Sequence, residues 1–328
     1  MLINDKTREK VRAMLSRGDE FVLYRLPGRT VKLVTAIKPK VDVRIVPWNT
    51  HLADAIKPGA TAAPTFLIPH STPRRYYIDR VNAVIERLRE RGRAKTVISR
   101  IIAGHTPEAD WLDIADRLWQ AYPDTFGYLF YTASTGGWVG ATPEKLLFTF
   151  SPCSFTTCAL AGTLPVDVPW NRKNYDEQQM VADFIKDTLT RMGLDFKESG
   201  PRTITYGAIK HLMTNFTGEM SQPSAQTPAL LDSLAPTPAL SGAPRAEALA
   251  DIADVEQHPR GCYGGYVYLS DEMRIYTYVT IRCAQFDPRD GSWAIYAGGG
   301  ITPASVAEDE WNETEAKAAT LLSLIEHK

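Results

Sequence analysis

Several stretches of the chain place apolar residues at the spacing of an amphipathic α-helix. Between Tyr76 and Arg91, apolar side chains recur at Ile78, Val81 and Ile85, three or four positions apart, which puts them on one helical face. The pattern also predicts a short helix over residues 5–16, a helix around 111–122, a long helix over 175–192 and a last helix over about 306–326.

Other stretches alternate short β-branched and aromatic runs with glycine, proline or polar residues, as strands and turns do. They include FVLYRLPG, TVKLVTAI and VDVRIVPW between residues 21 and 67, KTVISRII at 95–102, GYLFYTAS, WVGATPE, KLLFTFS and FTTCALAGT between 127 and 163, and later CYGGYVYLS, RIYTYVTIRCAQF and SWAIYAGGGI. Residues 222–245 are predicted to be an ordered loop with a short helix. Because strands outnumber helices and are joined by short turns such as PRDGS, the pattern predicts an antiparallel α+β architecture.

Composition narrows the class of protein. The chain has 328 residues, of which 44% are hydrophobic and 23% are charged, and such values are typical of folded globular proteins. Its length alone gives a prior of about two domains. The formal net charge of −1 argues against nucleic acid as the main partner.

Targeting and redox features favour the cytoplasm. No run approaches the roughly 18 consecutive apolar residues of a membrane-spanning helix. The first residues, MLINDKTREKVRAML, carry charges where a signal peptide has its apolar segment. Cys153, Cys158, Cys262 and Cys283 show no CxxC spacing, so reduced structural thiols are expected. We therefore expect a cytoplasmic protein without a membrane partner.

The predicted helix over 175–192 carries an acidic residue beside its apolar face. At about 100° per residue, Glu177 lies about 40° from Val181 and about 20° from Phe184. Its carboxylate is therefore expected to point toward the interior, where a charge must be paired or must bind a cation.

The last predicted helix shows a similar pattern. Glu310, Glu313 and Lys317 share an arc of about 60° with Leu321 and Leu324. On geometry alone, an ordinary surface ion pair between Glu313 and Lys317 is the more common explanation. The other explanation is a magnesium ion (Mg²⁺), which prefers a few carboxylate oxygens together with water and substrate oxygens.

Three further features have both a structural and a functional interpretation. The run AGGGI at 297–301 offers exposed backbone N–H groups for a carboxylate, or forms a tight turn. Arg282 is predicted to lie in a strand on the same face as Tyr278 and Thr280, where it would bind a carboxylate or a cross-strand acid. His211 is either a core histidine or a catalytic one.

Taken together, a series of strings is similar to the chorismate-utilising enzymes, which include isochorismate, salicylate, anthranilate and aminodeoxychorismate synthases. The strings are KTVISR, GATPEKLL, ALAGTLP, the helix of Glu177, HLMTNFTG, PTPALSGAPRAEAL, the stretch from Ile252 to RGCYGG, TIRCA, AGGGI and EWNETEAK. They occur in the order found in the family and extend over about residues 90 to 320. Each string is weak evidence alone, but the ordered series identifies the chain as a member of the family.

The resemblance implies a fold and a cofactor. It implies one large α+β domain over residues 1–328, with antiparallel β-sheets packed face to face and helices outside. Residues 1–90 would complete the sheet, and residues 90–320 would form the family core. It also implies a buried, Mg²⁺-dependent active site with Glu177 and Glu313 as metal ligands and Glu310 nearby, which replaces the surface-pair explanation.

The resemblance also implies a substrate site for chorismate. Arg282 and the region of Gly298 match the positions that bind the substrate carboxylate, and Lys317 lies beside them. The other matching positions line the pocket, and these are His211, Thr237 and Tyr263.

Within the family, Lys95 and Ala161 favour isochorismate synthase. Lysine at the position of Lys95 resembles the water-using enzymes, and Ala161 occupies the place of the lysine nucleophile of aminodeoxychorismate synthase. In the implied mechanism, Lys95 as a neutral amine takes a proton from water attacking C2 of chorismate. Glu144 protonates the departing C4 hydroxyl, and burial is expected to push both groups toward these protonation states. No glutaminase subunit is expected, and a monomer is favoured.

Alternatives remain at this point. Salicylate synthase shares the lysine and then eliminates pyruvate, while anthranilate and aminodeoxychorismate synthases need ammonia. An inactive chorismate-binding homologue is the remaining alternative, because the chain has Asn174 and Gln178 where the family often has an acidic residue and a histidine. Neither the menaquinone nor the siderophore pathway is favoured by the sequence.

Overall fold

The computed structural model describes residues 1–35, 41–59, 63–92, 94–151, 153–206, 209–271 and 273–326. Within these residues the α-helices are α1 (Asp5–Arg17), α2 (Arg74–Arg91), α3 (Trp111–Ala121), α4 (Arg172–Arg191), α5 (Pro223–Leu234), α6 (Arg245–Val255) and α7 (Ala307–Glu326). None of these helices combines the length and apolar character that a bilayer-spanning helix requires.

The strands form two antiparallel sheets. In chain order they are β1 (Phe21–Arg25), β2 (Lys32–Thr35), β3 (Asp42–Val46), β4 (Lys95–His105), β5 (Phe126–Thr132), β6 (Gly136–Thr142), β7 (Lys145–Thr149), β8 (Ser154–Pro165), β9 (Phe196–Tyr206), β10 (Ile209–Glu219), β11 (Gly242–Ala243), β12 (Tyr266–Ser270), β13 (Ile275–Val279), β14 (Cys283–Phe286) and β15 (Ser292–Ile301). The first sheet has the order β11-β4-β15-β14-β6-β5-β1-β2, and the second has the order β3-β12-β13-β7-β8-β10-β9.

The two sheets face each other across an aromatic core. Alternation along β5 turns Phe126, Tyr128 and Phe130 toward the second sheet, because successive strand residues point to opposite faces. The rings of Phe126 and Tyr278 stack across the two sheets at a centroid distance of 4.3 Å. This contact joins β5 of the first sheet to β13 of the second.

Helices cover the outer faces. Helices α1, α3 and α7 pack on the first sheet, and α4 and α5 pack on the second. Helices α2 and α6 cover β4 near the edge of the first sheet. The predicted α+β class, with antiparallel sheets packed face to face and helices outside, is therefore confirmed.

Most predicted elements are present, and the differences are informative. The loop predicted over 222–245 contains α5, but the pattern did not predict β9, β10 or α6 as separate elements. The prediction that RIYTYVTIRCAQF forms a single strand run is wrong, because β13 belongs to the second sheet and β14 to the first. The last residues of the predicted strand TVKLVTAI lie outside the described residues.

The chain changes sheet at two places that matter for the site. Between β6 and β7 it passes from the first sheet to the second at Pro143 and Glu144, and between β13 and β14 it returns at residues 280–282. The amide of Val279 donates to the carbonyl of Glu144 at 3.0 Å, so the two crossings lie side by side. Each crossing brings a charged side chain to the space between the sheets.

Candidate active site

A cleft of about 1060 Å³, its open mouth included, lies at these crossings. Most of the residues singled out in the sequence line it, although they come from β4, β10, β15, α4, α7, the two crossings and the turn before β12. They are Lys95, Glu144, Glu177, His211, Tyr263, Arg282, Gly298, Glu313 and Lys317. Thr237 and Glu310 do not line the cleft. Thr237 lies beside Glu144, and Glu310 lies beside Gly299.

Glu144 is held in the cleft wall as a buried carboxyl group. It follows β6 and is 7% exposed. Burial raises the pKa of Glu144 to about 7, although Lys95, Arg282 and the hydroxyl of Thr237 act in the opposite direction. Thr237 lies close enough to influence this carboxyl without forming a well-oriented hydrogen bond. The group therefore exists in both protonation states near neutral pH.

Lys95 is the first residue of β4 and pairs with the acid predicted to point inward. Its side chain is 1% exposed, and Nζ lies 2.6 Å from Oε1 of Glu177 on α4. A Cβ atom at Gly300 would lie 2.6 Å from Cε of Lys95 and 2.9 Å from Oε1 of Glu177. A glycine is therefore required at position 300 for this pair to fit against β15.

The ion pair of α7 also lies in the cleft. Nζ of Lys317 is 2.7 Å from Oε1 of Glu313 and donates to the carbonyl of Gly298 at 2.8 Å. Burial lowers the pKa of Lys317, but the adjacent Glu313 outweighs burial and raises that pKa overall. The i, i+4 pair predicted for this helix is therefore present and lies at the cleft, and the Mg²⁺ explanation stays a prediction.

Glu310 lies behind the glycine run instead of in the cleft. It is 2% exposed, and its Oε1 accepts a hydrogen bond from Ser305 at 2.6 Å and pairs with Lys173 at 3.2 Å. Its Oε2 is buried without a hydrogen-bond partner among the described residues, and burial raises its pKa. A Cβ atom at Gly299 would lie 2.9 Å from this oxygen.

The acidic residues suit a hard divalent cation held by few protein ligands. Within the described ranges, no three His, Cys, Asp or Glu side chains converge on one point as a closed metal site. Glu177 and Glu313 nevertheless line one cleft, and the unpartnered Oε2 of Glu310 lies next to it. Because Mg²⁺ typically takes one or two carboxylates and completes its shell with water and substrate oxygens, the donor set fits this ion.

Arg282 differs from its predicted conformation. It follows β13 in a left-handed backbone conformation with φ of 50°, so the prediction that it lies in a strand beside Tyr278 and Thr280 is wrong. The chain turns here to change sheet, and this turn aims the guanidinium into the cleft. Nη2 of Arg282 lies 3.1 Å from Nε2 of His211.

His211 orients the arginine as a neutral imidazole. Burial, Arg282 and Lys317 lower the pKa of His211 to about 3. Its Nδ1 lies 3.2 Å from the carbonyl of Gly162, so we assign the proton to Nδ1, and Nε2 accepts from Arg282. A neutral imidazole adds no second positive charge beside Arg282, whose guanidinium lines the cleft.

Two tyrosines close one side of the cleft. Tyr263 and Tyr296 stack at a centroid distance of 5.6 Å, and a Cβ atom at Gly298 would lie 2.6 Å from the hydroxyl oxygen of Tyr263. Sequence reasoning missed Tyr296. The signal for it was available, because Tyr296, Gly298 and Gly300 alternate on one face of a strand.

The two departures from the family pattern both help to place α4. Asn174 and Asn171 form a reciprocal capping box at the start of the helix, and Nε2 of Gln178 donates to the hydroxyl of Thr214 at 2.7 Å. Lys173, another cleft residue that sequence reasoning missed, lies on the same first turn. These contacts orient the helix turn that carries Glu177.

Comparison with known proteins points to one family of enzymes. The family described as chorismate binding enzyme matches residues 44–326. The chain is 35% identical to isochorismate synthase EntC of Escherichia coli (strain K12) over 246 residues, which covers 70% of this chain and 62% of EntC. It is 30% identical to isochorismate synthase DhbC of Bacillus subtilis over 269 residues, with coverage of 75% and 66%. The matched region is thus less than two thirds of both relatives.

Solved structures give the same fold at lower identity. MenF, the menaquinone-specific isochorismate synthase from Escherichia coli, superposes with a TM-score of 0.78 at 16% identity and covers 95% of this chain and 90% of that chain. A putative 2,3-dihydroxybenzoate-specific isochorismate synthase, DhbC from Bacillus anthracis, gives 0.77 at 21% identity, with coverage of 95% and 98%.

Proposed function

Because the chain belongs to the chorismate binding enzyme family, we propose that it is an isochorismate synthase. The reaction adds water at C2 of chorismate, expels the C4 hydroxyl as water and shifts the ring double bonds, so that no oxidant or reductant is consumed. The observation that carries the proposal is the presence of Lys95 and a carboxyl group, Glu144, with a pKa of about 7 in one cleft.

Positive groups on the cleft wall support binding of a dicarboxylate. Arg282 is oriented by His211, and Lys317 lies against the carbonyl of Gly298. An arginine binds a carboxylate through two parallel N–H groups, whereas a lysine acts as a point charge. We assign one substrate carboxylate to Arg282 and place Lys317 beside it.

The proton transfers are assigned to the two buried groups. Lys95 is assigned as the base that takes a proton from the water that attacks C2, and Glu144, as the neutral acid, protonates the leaving hydroxyl at C4. A general acid and base typically contribute about 10²–10⁴-fold. When bound, Mg²⁺ would be held by Glu177 and Glu313, with Glu310 nearby, and would withdraw electron density from the ring carboxylate.

Water as the nucleophile is supported by the residue at position 161. Ala161 lines the cleft, in the place where aminodeoxychorismate synthase is expected to have its nucleophilic lysine. Water is therefore the nucleophile that we assign, and no glutaminase partner is required. A cytoplasmic location and a monomeric state remain predictions.

Chromatography of the products formed from chorismate with MgCl₂ tests the proposal. We expect isochorismate without ammonia or any added partner, and we expect EDTA to stop turnover. Salicylate with an equal amount of pyruvate would instead identify a salicylate synthase. Unconsumed chorismate with measurable Mg²⁺ binding would identify an inactive homologue, and formation of aminated product with ammonia would contradict the assignment of water.

A further inference from the structure

A second cavity, which we call the edge cavity, lies beside the outer edge of β4. It is bounded by the extended segment 67–73, by α2 and by residues 255–259, and its volume is about 1020 Å³ with its mouth included. It shares no lining residue with the catalytic cleft. The edge cavity is therefore a separate space from the catalytic cleft.

The edge of β4 is held open by specific contacts. The amide of Ser99 donates to Oε1 of Glu256 at 2.6 Å, and the amide of Ile101 donates to the hydroxyl of Thr72 at 2.9 Å. Because these partners satisfy the edge N–H groups, no further strand is needed there. The space between the two contacts is the edge cavity.

Arg80 gives the edge cavity a positive charge. Glu256 is fully engaged, since Arg260 donates to both of its oxygens at 2.6 and 2.8 Å. Arg80 lies over the ring of Tyr76 at 5.0 Å, and the described residues supply it with no carboxylate or carbonyl partner.

The other arginines of α2 differ from Arg80, because they contact a carboxylate or a carbonyl group. Each has a partner within the described residues, and the pairs are Arg74–Glu308, Arg75–Asp79, Arg87–Asp254, Arg89–Pro303 carbonyl and Arg91–Asp251. Arg80 is thus the arginine of α2 that lines the edge cavity and has no such partner among the described residues.

The remaining lining suits a planar, largely apolar molecule. Ile98, Val255 and Pro259 contribute apolar surface, and Ser99 and His258 contribute polar atoms. Ligand sites commonly combine an apolar wall with a few polar groups that fix orientation. A carboxylate attached to a ring would satisfy Arg80 and place its apolar part against this wall.

The inner wall of the edge cavity is also the outer support of the catalytic cleft. Nε2 of His258 contacts the hydroxyl of Ser99 at 3.0 Å, and the ring of His258 packs on Tyr296 at 6.3 Å. Ser99 pairs with Gly298 across the sheet. Tyr296 and Gly298 both line the catalytic cleft. The side chain of His258 therefore connects the edge cavity to the wall of the catalytic cleft.

We propose that the edge cavity is a regulatory site for a small aromatic carboxylate, held by Arg80 and sensed through His258. The ligand alters catalysis only if its affinity differs between two arrangements of the wall formed by Ser99, His258 and Tyr296.

Calorimetric titration of benzoate tests the binding. We expect Arg80→Gln to weaken benzoate binding about tenfold, the loss typical of a charge-assisted contact. The matched control is Arg75→Gln on the same helix, whose side chain is 95% exposed and which should bind as the native protein does. Because benzoate also resembles a ligand of the catalytic cleft, Arg282→Gln is titrated in parallel and should leave the Arg80-dependent binding intact.

Two results of the titrations would overturn the proposal. Binding that is lost in Arg282→Gln and kept in Arg80→Gln would put benzoate in the catalytic cleft and overturn the proposal, as would an absence of binding. Crystals soaked with 4-bromobenzoate provide a second measurement that does not depend on a variant. We expect a bromine signal between Arg80 and His258, and a signal confined to the catalytic cleft would overturn the proposal.

A kinetic measurement tests regulation. At saturating chorismate, benzoate should change kcat in the native protein and in Arg75→Gln but not in Arg80→Gln. Unchanged kcat with bound benzoate would overturn the regulatory role. The titrations and soaks involve no turnover, so their failure is distinguishable from a failure of the proposed isochorismate synthase activity.

Discussion

The space between the two sheets is filled by aromatic rings in one half and by charged groups in the other. In the aromatic half, Phe126 and Tyr278 stack at 4.3 Å. In the charged half, Lys95 and Glu177 form an ion pair of 2.6 Å against Gly300, which has no side chain to exclude them. The comparison shows that the same sandwich becomes a core where large rings meet and a charged cleft where glycines leave space.

The largest expected effect comes from removing Lys95, the base proposed for the charged half. Lys95→Ala should lower kcat by about 10²–10⁴-fold, because the attacking water loses its proton acceptor. Lys95→Met keeps the volume of the stem and should lose activity similarly, whereas Lys186→Ala on the exposed side of α4 should not. The measurement is turnover of chorismate together with calorimetric binding of Mg²⁺ and chorismate, which should persist. Substantial turnover by Lys95→Met would exclude the lysine as the base.

In the aromatic half the effect should fall on stability. Phe126→Ala removes a fully buried ring and should reduce the free energy of unfolding by about 3–5 kcal/mol. Phe150→Ala, whose residue is 62% exposed, should change it by about 0.5 kcal/mol or less. Denaturant unfolding checks both values. If the folded Phe126→Ala protein also lost most of its kcat, the two halves would not be functionally separable.

A methyl group added at position 300 should disturb the geometry of the charged half without removing any charge. Gly300→Ala places Cβ within 2.6 Å of Cε of Lys95, so we expect the Lys95–Glu177 pair to shift and kcat to fall about tenfold to a hundredfold, since small misplacements of reacting groups are costly. Gly59→Ala, where a Cβ would have no neighbour closer than 3.6 Å, is the control. Equal kinetics for the two variants would show that position 300 does not determine the geometry of the pair.

The smallest expected effect is a change of pH dependence. Because Glu144 has a pKa of about 7 and must be protonated to act as an acid, kcat/KM should fall as the pH rises above about 7. Thr237 lowers this pKa, so Thr237→Val should move the alkaline limb to higher pH. Thr65→Val, outside the cleft, should leave the limb in place. A limb that does not respond to Thr237→Val would assign it to another group.

The raised pKa of Glu144 also predicts how the stability of the protein depends on pH. Its pKa in the folded protein is raised above the usual value, so its contribution to stability is complete below about pH 4.5 and is lost as the pH rises through about 7. Unfolding measured across this range should show the loss in the native protein. Glu144→Gln should reduce the loss, and an unchanged pH profile in that variant would contradict the raised pKa.

Much of the fold was predictable because it depends on local patterns. The periodicity of apolar residues indicated α2, α3, α4 and α7 within a few residues of their bounds, and the β-branched runs indicated most strands. The run over 274–286 was misjudged, because alternation along a chain does not reveal which sheet it joins. Residues 280–282 are where the backbone leaves one sheet for the other.

The sequence indicated most of the residues that line the cleft, but it indicated less of their geometry. The inward position of Glu177 followed from helical angles alone, and the ordered family strings indicated Lys95, Glu144 and Arg282. The orientation of Arg282 depends on a φ of 50° and on His211 from a distant strand. Lys173 and the whole edge cavity were missed because their significance comes from neighbours far away in the chain, whereas Tyr296 could have been found from its alternation with Gly298 and Gly300.

The sequence by itself determined most helices and most strands, the inward-facing acids and the ordered series of motifs, since each depends on residues a few positions apart. Only the tertiary structure decided the partner of each charge. Lys95 meets Glu177 across 82 positions, and Glu144 acquires a pKa of about 7 by burial where the chain crosses between sheets. The physical reason is that periodicity sets the face on which a side chain lies, whereas sheet crossings and packing set its electrostatic surroundings.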